Sequence, residues 1–179
     1  ADDMLILCRS EKNARREHEH LQEVLAHLGL TLNVEKTRVA RARDGFDFLG
    51  FSFRRGTYTR DGRRREIIVK VPRKRSEQGM RDKLKQAARS HHLGDPLDAL
   101  VKSYNARLRG WCNYFRIGNA YQAVKGLVYY ACRQLRIYLR RKYHRKGSQY
   151  TRRWPDSTFH ETYGLLTVAE LLQRRRANA

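Results

Sequence analysis

The sequence predicts an α+β fold, with antiparallel strands, one helix and a β-hairpin in front and a basic three-helix bundle behind. Three observations lead there. Apolar residues alternate at several places between residues 30 and 71, which is strand spacing, but recur at steps of three and four from residue 97 onward, which is helix spacing. Asp61 followed by Gly62 between two such runs is a hairpin-turn signal. The charge also divides, with 14 basic and 11 acidic residues over 1–69 but 25 and 7 over 70–179.

That imbalance sets the partner class. Thirty-nine Lys and Arg against 18 Asp and Glu leave a net charge of +21 over 179 residues, with a pI near 10.6. The excess in the back part points to a phosphate backbone gripped by Coulomb attraction and counterion release. Two Trp, ten Tyr and six Phe within 40% hydrophobic residues can fill real cores, so the chain is no basic tail. No apolar run approaches the ~20 residues of a membrane span and no signal-peptide pattern is visible, so the expected location is cytoplasmic, with no membrane partner. Cys8, Cys112 and Cys132 are odd in number and widely spaced, and read as small hydrophobes. His18, His20, His27, His91 and His92 lack metal-site spacing and read as surface residues.

Element by element, the front opens on Asp2 and Asp3 and then an apolar run over residues 4–8 that reads as a strand. Adjacent carboxylates repel and call for a counter-charge, which a pair of Mg²⁺ ions would supply, although surface turns show the same dipeptide. Ser10 suits a helix N-cap; Ala14, Leu21, Val24, Leu25 and Leu28 follow at helical spacing, and Gly29 suits the stop. Leu30, Leu32 and Val34 alternate as a strand would. So do Phe46, Phe48, Phe51 and Phe53, with an extra step at Leu49 and Gly50 that reads as a bulge, Gly50 admitting another backbone. Residues 51–58 and 66–71 should pair as a hairpin tipped by Arg60 and Arg63, Arg64 and Arg65.

Behind Pro72, the basic group Arg73, Lys74 and Arg75 reads as a connector, and a helix is expected over 76–90. Gly94, Asp95 and Pro96 supply a break, an N-cap and a first-turn proline for a long helix. Its stripe is Leu97, Leu100, Val101, Tyr104, Leu108, Trp111 and Phe115. A further helix over about 120–143 turns Tyr121, Val124, Leu127, Val128, Ala131, Leu135 and Tyr138 inward and Arg133, Arg136, Arg140, Arg141 and Lys142 mostly outward. Such stripes bury one another in a small bundle. A short helix over 167–175 is expected near the end. The organisation is thus residues 1–71, 72–150 and a basic extension over 151–179.

Ala-Asp-Asp, an amphipathic helix, "LGLTLNVEKT", "FDFLGFSF" and "YNARLRGWCNYF", in this order, resemble the C-terminal half of group II intron reverse transcriptases, the intron-encoded maturases. The resemblance runs from the first residue to about Tyr143, and its most selective phrase spans residues 104–115. It implies that 1–71 is the C-terminal part of a reverse-transcriptase palm with a primer-grip hairpin, and 72–150 the maturase-specific, or thumb, domain. It further implies catalytic and Mg²⁺-binding roles for Asp2 and Asp3, a place behind that site for Lys36 and Thr37, and a primer-grip turn at Leu49 and Gly50. The thumb helices would hold group II intron RNA and an RNA/DNA template–primer duplex.

Arg107, Arg109, Arg116, Arg133, Arg136 and Arg140 are the candidate phosphate contacts, against the alternative of ordinary solvated charges. Trp111 and Phe115 lie on the apolar stripe and read as core before base-stacking platforms. Lys36 either screens carboxylates or acts in catalysis. The family also has a further metal-binding Asp, fingers and an aromatic residue ahead of Ala-Asp-Asp, none of which this sequence shows, so the expected function is that of a fragment of an RNA-directed DNA polymerase and maturase, inactive alone. The alternatives are a stand-alone, non-catalytic maturase-like protein that assists splicing and, disfavoured by the motif order, an unrelated basic RNA-binding protein.

Overall fold

The computed structural model describes residues 3–33, 35–144 and 150–173. It divides into two compact units, Ala1–Lys70 and Val71–Ala179. The architecture is α+β, with a three-stranded antiparallel sheet in the order β1-β2-β3 followed by helices.

In the first unit, α1 spans Glu11–His27, and the Ser10 hydroxyl accepts a hydrogen bond from the backbone N–H of Asn13, as an N-cap should. At the other end Gly29 takes φ +69°, its N–H donates to the Ala26 carbonyl, and the Leu30 N–H donates to the Leu25 carbonyl at 2.8 Å. This pair of bonds is a Schellman motif. It consumes the Leu30 N–H, so the strand expected at Leu30 and Leu32 does not form; Val34 lies outside the described residues. The strand expected over 4–8 is also absent: a strand needs a neighbour for its backbone groups, and no described segment pairs with this one. Its Met4 and Leu7 are 61% and 75% exposed.

Strands β1, Phe46–Phe48, and β2, Phe51–Arg60, pair antiparallel with Phe46 opposite Phe53 and Phe48 opposite Phe51. Leu49 and Gly50, at φ +47° and +77°, form the two-residue turn between them. The expected bulge is therefore corrected to a tight hairpin whose positive φ values match the type I′ geometry that suits strand twist. The rings of Phe46 and Phe53 stack at 4.7 Å, and the Lys70 ammonium sits 4.5 Å from the centre of the Phe51 ring. Asp61 and Gly62, at φ +53° and +70°, turn β2 into β3, Arg63–Pro72, so Arg60 and Arg63 to Arg65 belong to the strands and not to a loop.

The second unit holds the core. Helix α2 is Lys74–Ser90 and starts earlier than expected, because the Arg73 carbonyl already accepts the N–H groups of Ser76 and Glu77. Helix α3 is Leu97–Phe115, with extended Pro96 and not Asp95 at its N-cap; α4 is Tyr121–Lys142. Leu84 from α2, Tyr104 and Leu108 from α3, and Val124, Leu127, Ala131 and Leu135 from α4 have no exposed surface. The Tyr104 hydroxyl donates to the Leu84 carbonyl at 2.9 Å, so the buried phenol is satisfied, and burial raises its pKa.

Two expected core residues shift. Trp111 is half-buried at the margin, its indole N–H donating to the Ser76 carbonyl at 3.3 Å, while its neighbour Cys112 is fully buried in its stead. Tyr121 begins α4 exposed, with buried Ala120 just before it. His91, expected on the surface, is half-buried with its ring 5.3 Å from that of Tyr138.

The terminal segment closes the unit. Helices α5, Tyr150–Arg153, α6, Asp156–Glu161, and α7, Val168–Leu172, follow α4, and Phe159, Leu165, Leu166 and Leu171 are buried. Thr167 and Glu170 cap α7 reciprocally as a capping box; Thr167's hydrogen bonds hold the Glu170 carboxyl below its usual range. The expected helix over 167–175 thus ends at Leu172, and its last two residues lie outside the described ones.

Candidate nucleic-acid interface

The first set of candidate residues lies in the Ala1–Lys70 unit. Asp2 is outside the described residues. Asp3 is exposed in an irregular segment, and exposed Lys36 sits in a turn whose backbone N–H donates to both the carbonyl and the side-chain oxygen of Asn33, each at 3.1 Å. Thr37 donates to the same carbonyl at 2.9 Å, so Asn33 fixes this step of chain by an Asx-type turn. No hydrogen bond or ion pair among the described residues joins Asp3 to Lys36, and no three His, Cys, Asp or Glu side chains among them converge as metal ligands. Asp3 alone does not fit a Mg²⁺ pair, because one exposed carboxylate cannot replace the several oxygen ligands that octahedral Mg²⁺ takes up in a polymerase site. Leu49 and Gly50 stand at the β1–β2 turn, where the positive φ at 50 is what favours glycine.

The second set rides on the helices. Arg109 and Arg116 lie two turns apart and share one flank of the α3 stripe; Arg107 leaves on the other flank, its guanidinium held by the carbonyl of Ser103 at 3.1 Å and by the Ser103 hydroxyl. All three are exposed. Arg133 and Arg140, again two turns apart, stand exposed on the outer face of α4.

Arg136 does not join them. Its side chain is buried, its Nε donates to the Trp154 carbonyl at 2.7 Å, its Nη2 pairs with Asp156, and its guanidinium lies 5.5 Å from the centre of the Phe159 ring. Outward placement is thus corrected: the segment that follows α4 folds back over this face and supplies the acceptors. Asn105 does similar work from α3, donating to the Gly164 carbonyl at 2.8 Å while accepting from the Leu166 N–H at 3.0 Å.

The cysteines carry no nucleophile into this region. Cys112 and Cys132 are fully buried, and desolvation pushes both thiols up to about 12, so they stay neutral. His160 lies 4.0 Å from the Cys132 sulfur but shares a ring nitrogen with the Leu165 carbonyl at 2.7 Å, a packing arrangement around a protonated thiol.

Sequence reasoning also missed Lys85 and Arg89. They extend a row with Arg81 at four-residue steps on α2, which is one helix face, and they look across to α4. The regular spacing was the available signal.

Two family models match. Residues 1–53 match the reverse transcriptase (RNA-dependent DNA polymerase) family, and residues 77–155 match the group II intron, maturase-specific domain. A search of curated proteins gives no match. No helix among the described residues is long and apolar enough to cross a membrane. Reverse transcriptases generally use divalent metal ions, and group II maturases bind intron RNA. A reverse-transcriptase segment running into a maturase-specific domain is the arrangement of group II intron reverse transcriptases, or maturases, and the two matches together support that family for this chain.

Proposed function

We propose that this chain is the RNA-gripping part of a group II intron-encoded RNA-directed DNA polymerase and maturase, acting in the cytoplasm. Its residues 72–150 form the thumb, residues 1–71 belong to the palm, and residues 151–179 extend the thumb. The observation that carries this reading is the surplus of 25 cations over 7 carboxylates in residues 70–179, set on helices whose inner faces form a sealed core. A rigid scaffold with cationic outer faces positions a phosphate backbone, and Arg107, Arg109, Arg116, Arg133 and Arg140 are the contacts to intron RNA and template–primer duplex. Leu49 and Gly50 are the primer-grip turn. Asp2, Asp3 and Lys36 belong to the catalytic region of the intact enzyme.

The reading is tested by titrating salt against binding of a structured intron RNA to the full chain. Each phosphate that the protein neutralises on a double helix adds about 0.9 to the steepness of the log–log slope, so Arg109→Ala/Arg116→Ala should flatten it by nearly two units. An unchanged slope would return these arginines to the solvated surface. The chain alone should not extend a primer; extension abolished by Asp2→Asn would overturn that, whereas tight RNA binding without extension is equally what a non-catalytic splicing factor would show. Exposed Asp3, which joins no cluster of three potential metal ligands among the described residues, favours the inactive outcome.

A further inference from the structure

Helices α2 and α4 enclose an open groove of about 550 Å³ that the family resemblance does not single out. Lys85 and Arg89 on α2 and Arg133 and Arg141 on α4 line it, with Tyr130 and Gln134 between them and no carboxylate among the lining residues. Lys85 and Arg89 stand one helical turn apart and Arg133 and Arg141 two turns apart, so four like charges line one concave surface. Nothing lining the groove offsets that repulsion, so a polyanion is the fitting occupant.

Gln134 adds a second, independent sign. It is 7% exposed and lines the groove, the one amide among the lining residues. An amide that opens onto a groove is solvated there, and a ligand can take the place of that water. Next to the groove-lining Tyr130, Arg81 of α2 lies with its guanidinium 5.7 Å from the ring centre and its buried Nε without a partner among the described residues. A neutral amide among the cations of the groove is suited to read a ligand, not merely to attract it.

We infer that the α2–α4 groove binds a single unpaired RNA strand, with Lys85, Arg89, Arg133 and Arg141 on its phosphates and the Gln134 amide on a base edge. The inference rests on the RNA-binding reading above and names a subsite and a ligand class within it. A double helix turns its phosphates outward and keeps its base edges inside grooves of its own, so it would leave the Gln134 amide unmet; an unpaired nucleotide can lay a base edge on the floor. The volume falls in the roughly 300–1,000 Å³ range of small-ligand sites, which suits a nucleotide or two.

The test measures affinity of the full chain for a short oligouridylate and for a blunt RNA duplex of matched length, across salt. Lys85→Ala/Arg89→Ala should flatten the oligouridylate slope by about 1.4, at roughly 0.7 per phosphate on a single strand. Gln134→Leu, close in volume and compatible with burial, should weaken oligouridylate by roughly fivefold, the worth of one hydrogen bond, without altering its salt slope or duplex affinity. If both variants bind oligouridylate as the wild type does while duplex binding persists, the groove is overturned and the general RNA-binding reading stands. Equal loss on duplex and oligouridylate from Gln134→Leu would overturn the single-strand assignment, and failure of the wild type to bind either RNA would overturn both readings. Unchanged circular dichroism and thermal midpoints show that each variant is folded.

Discussion

Helix α1 and helix α4 carry equally plain apolar stripes, yet α1 buries no residue while α4 buries eleven. In the Ala1–Lys70 unit the buried described residues are Phe51 and Ser52, both on β2; in the Val71–Ala179 unit the helices share a core from Met80 to Leu171. Amphipathic spacing therefore states which face of a helix is apolar, not whether anything covers it. What holds α1 is polar and exposed: the Ser10 cap, the Schellman bonds at Gly29 and Leu30, and the ion pairs of Glu11 with Arg15 and Arg41, which keep that exposed carboxyl below its usual range. What holds α4 is burial.

The largest effect that would break this comparison comes from matched truncations. Leu108→Ala, at a site with no exposed surface, should cost about 2–5 kcal/mol, whereas truncating half-buried Leu25 of α1 to Ala should cost no more than about 1 kcal/mol. Both tryptophans, Trp111 and Trp154, lie in the Val71–Ala179 unit, so their fluorescence in a denaturant titration follows that core. The midpoint should fall for Leu108→Ala and hold for Leu25→Ala. A comparable fall for Leu25→Ala would mean that α1 carries stability its exposure does not suggest.

The same distinction explains what the sequence made legible. Caps, turns and stripes act over a few residues, and Ser10, Gly29, the Asp61–Gly62 turn and the α3 stripe could be read directly. Partners distant in sequence could not. The run at residues 4–8 looked like a strand because strand propensity is local while strand pairing is not. Trp111 and Cys112 are adjacent, and choosing between them for the core requires knowing where the neighbouring helices press. Arg136 read as an outer charge because its acceptors, Trp154 and Asp156, lie 18 and 20 residues further on. Among the candidate site residues, the arginines of α3 were found through a family phrase, but the groove that faces Lys85 and Arg89 toward α4 exists only once two helices pack.

Arg136 gives a sharper, intermediate test, because it separates charges that look alike in sequence. Arg136→Met keeps much of the side-chain volume but removes the bond to the Trp154 carbonyl and the ion pair of half-exposed Asp156. The expected loss is about 1–3 kcal/mol, with most of the penalty in the stranded polar groups. Arg133→Met, exposed one turn away, should change stability by less than about 0.5 kcal/mol. The tryptophan midpoint reads both, and equal shifts would place the two arginines in the same environment, contrary to their burial.

The smallest effect belongs to the other unit and should run the opposite way. Leu49 holds φ +47° at the first turn position between β1 and β2, a conformation that side chains with a Cβ rarely adopt and that costs of order 1 kcal/mol or more. Leu49→Gly removes that strain but gives the unfolded chain more freedom, so the net gain should be only a few tenths to about 1 kcal/mol. Leu49 is half exposed, and little packing goes with its side chain. Amide hydrogen exchange across the Phe46–Phe53 pairing should slow up to about fivefold, while the tryptophan midpoint of the helical unit stays where it was. Faster exchange in the variant would show that the Leu49 side chain, and not the turn geometry, holds the hairpin closed.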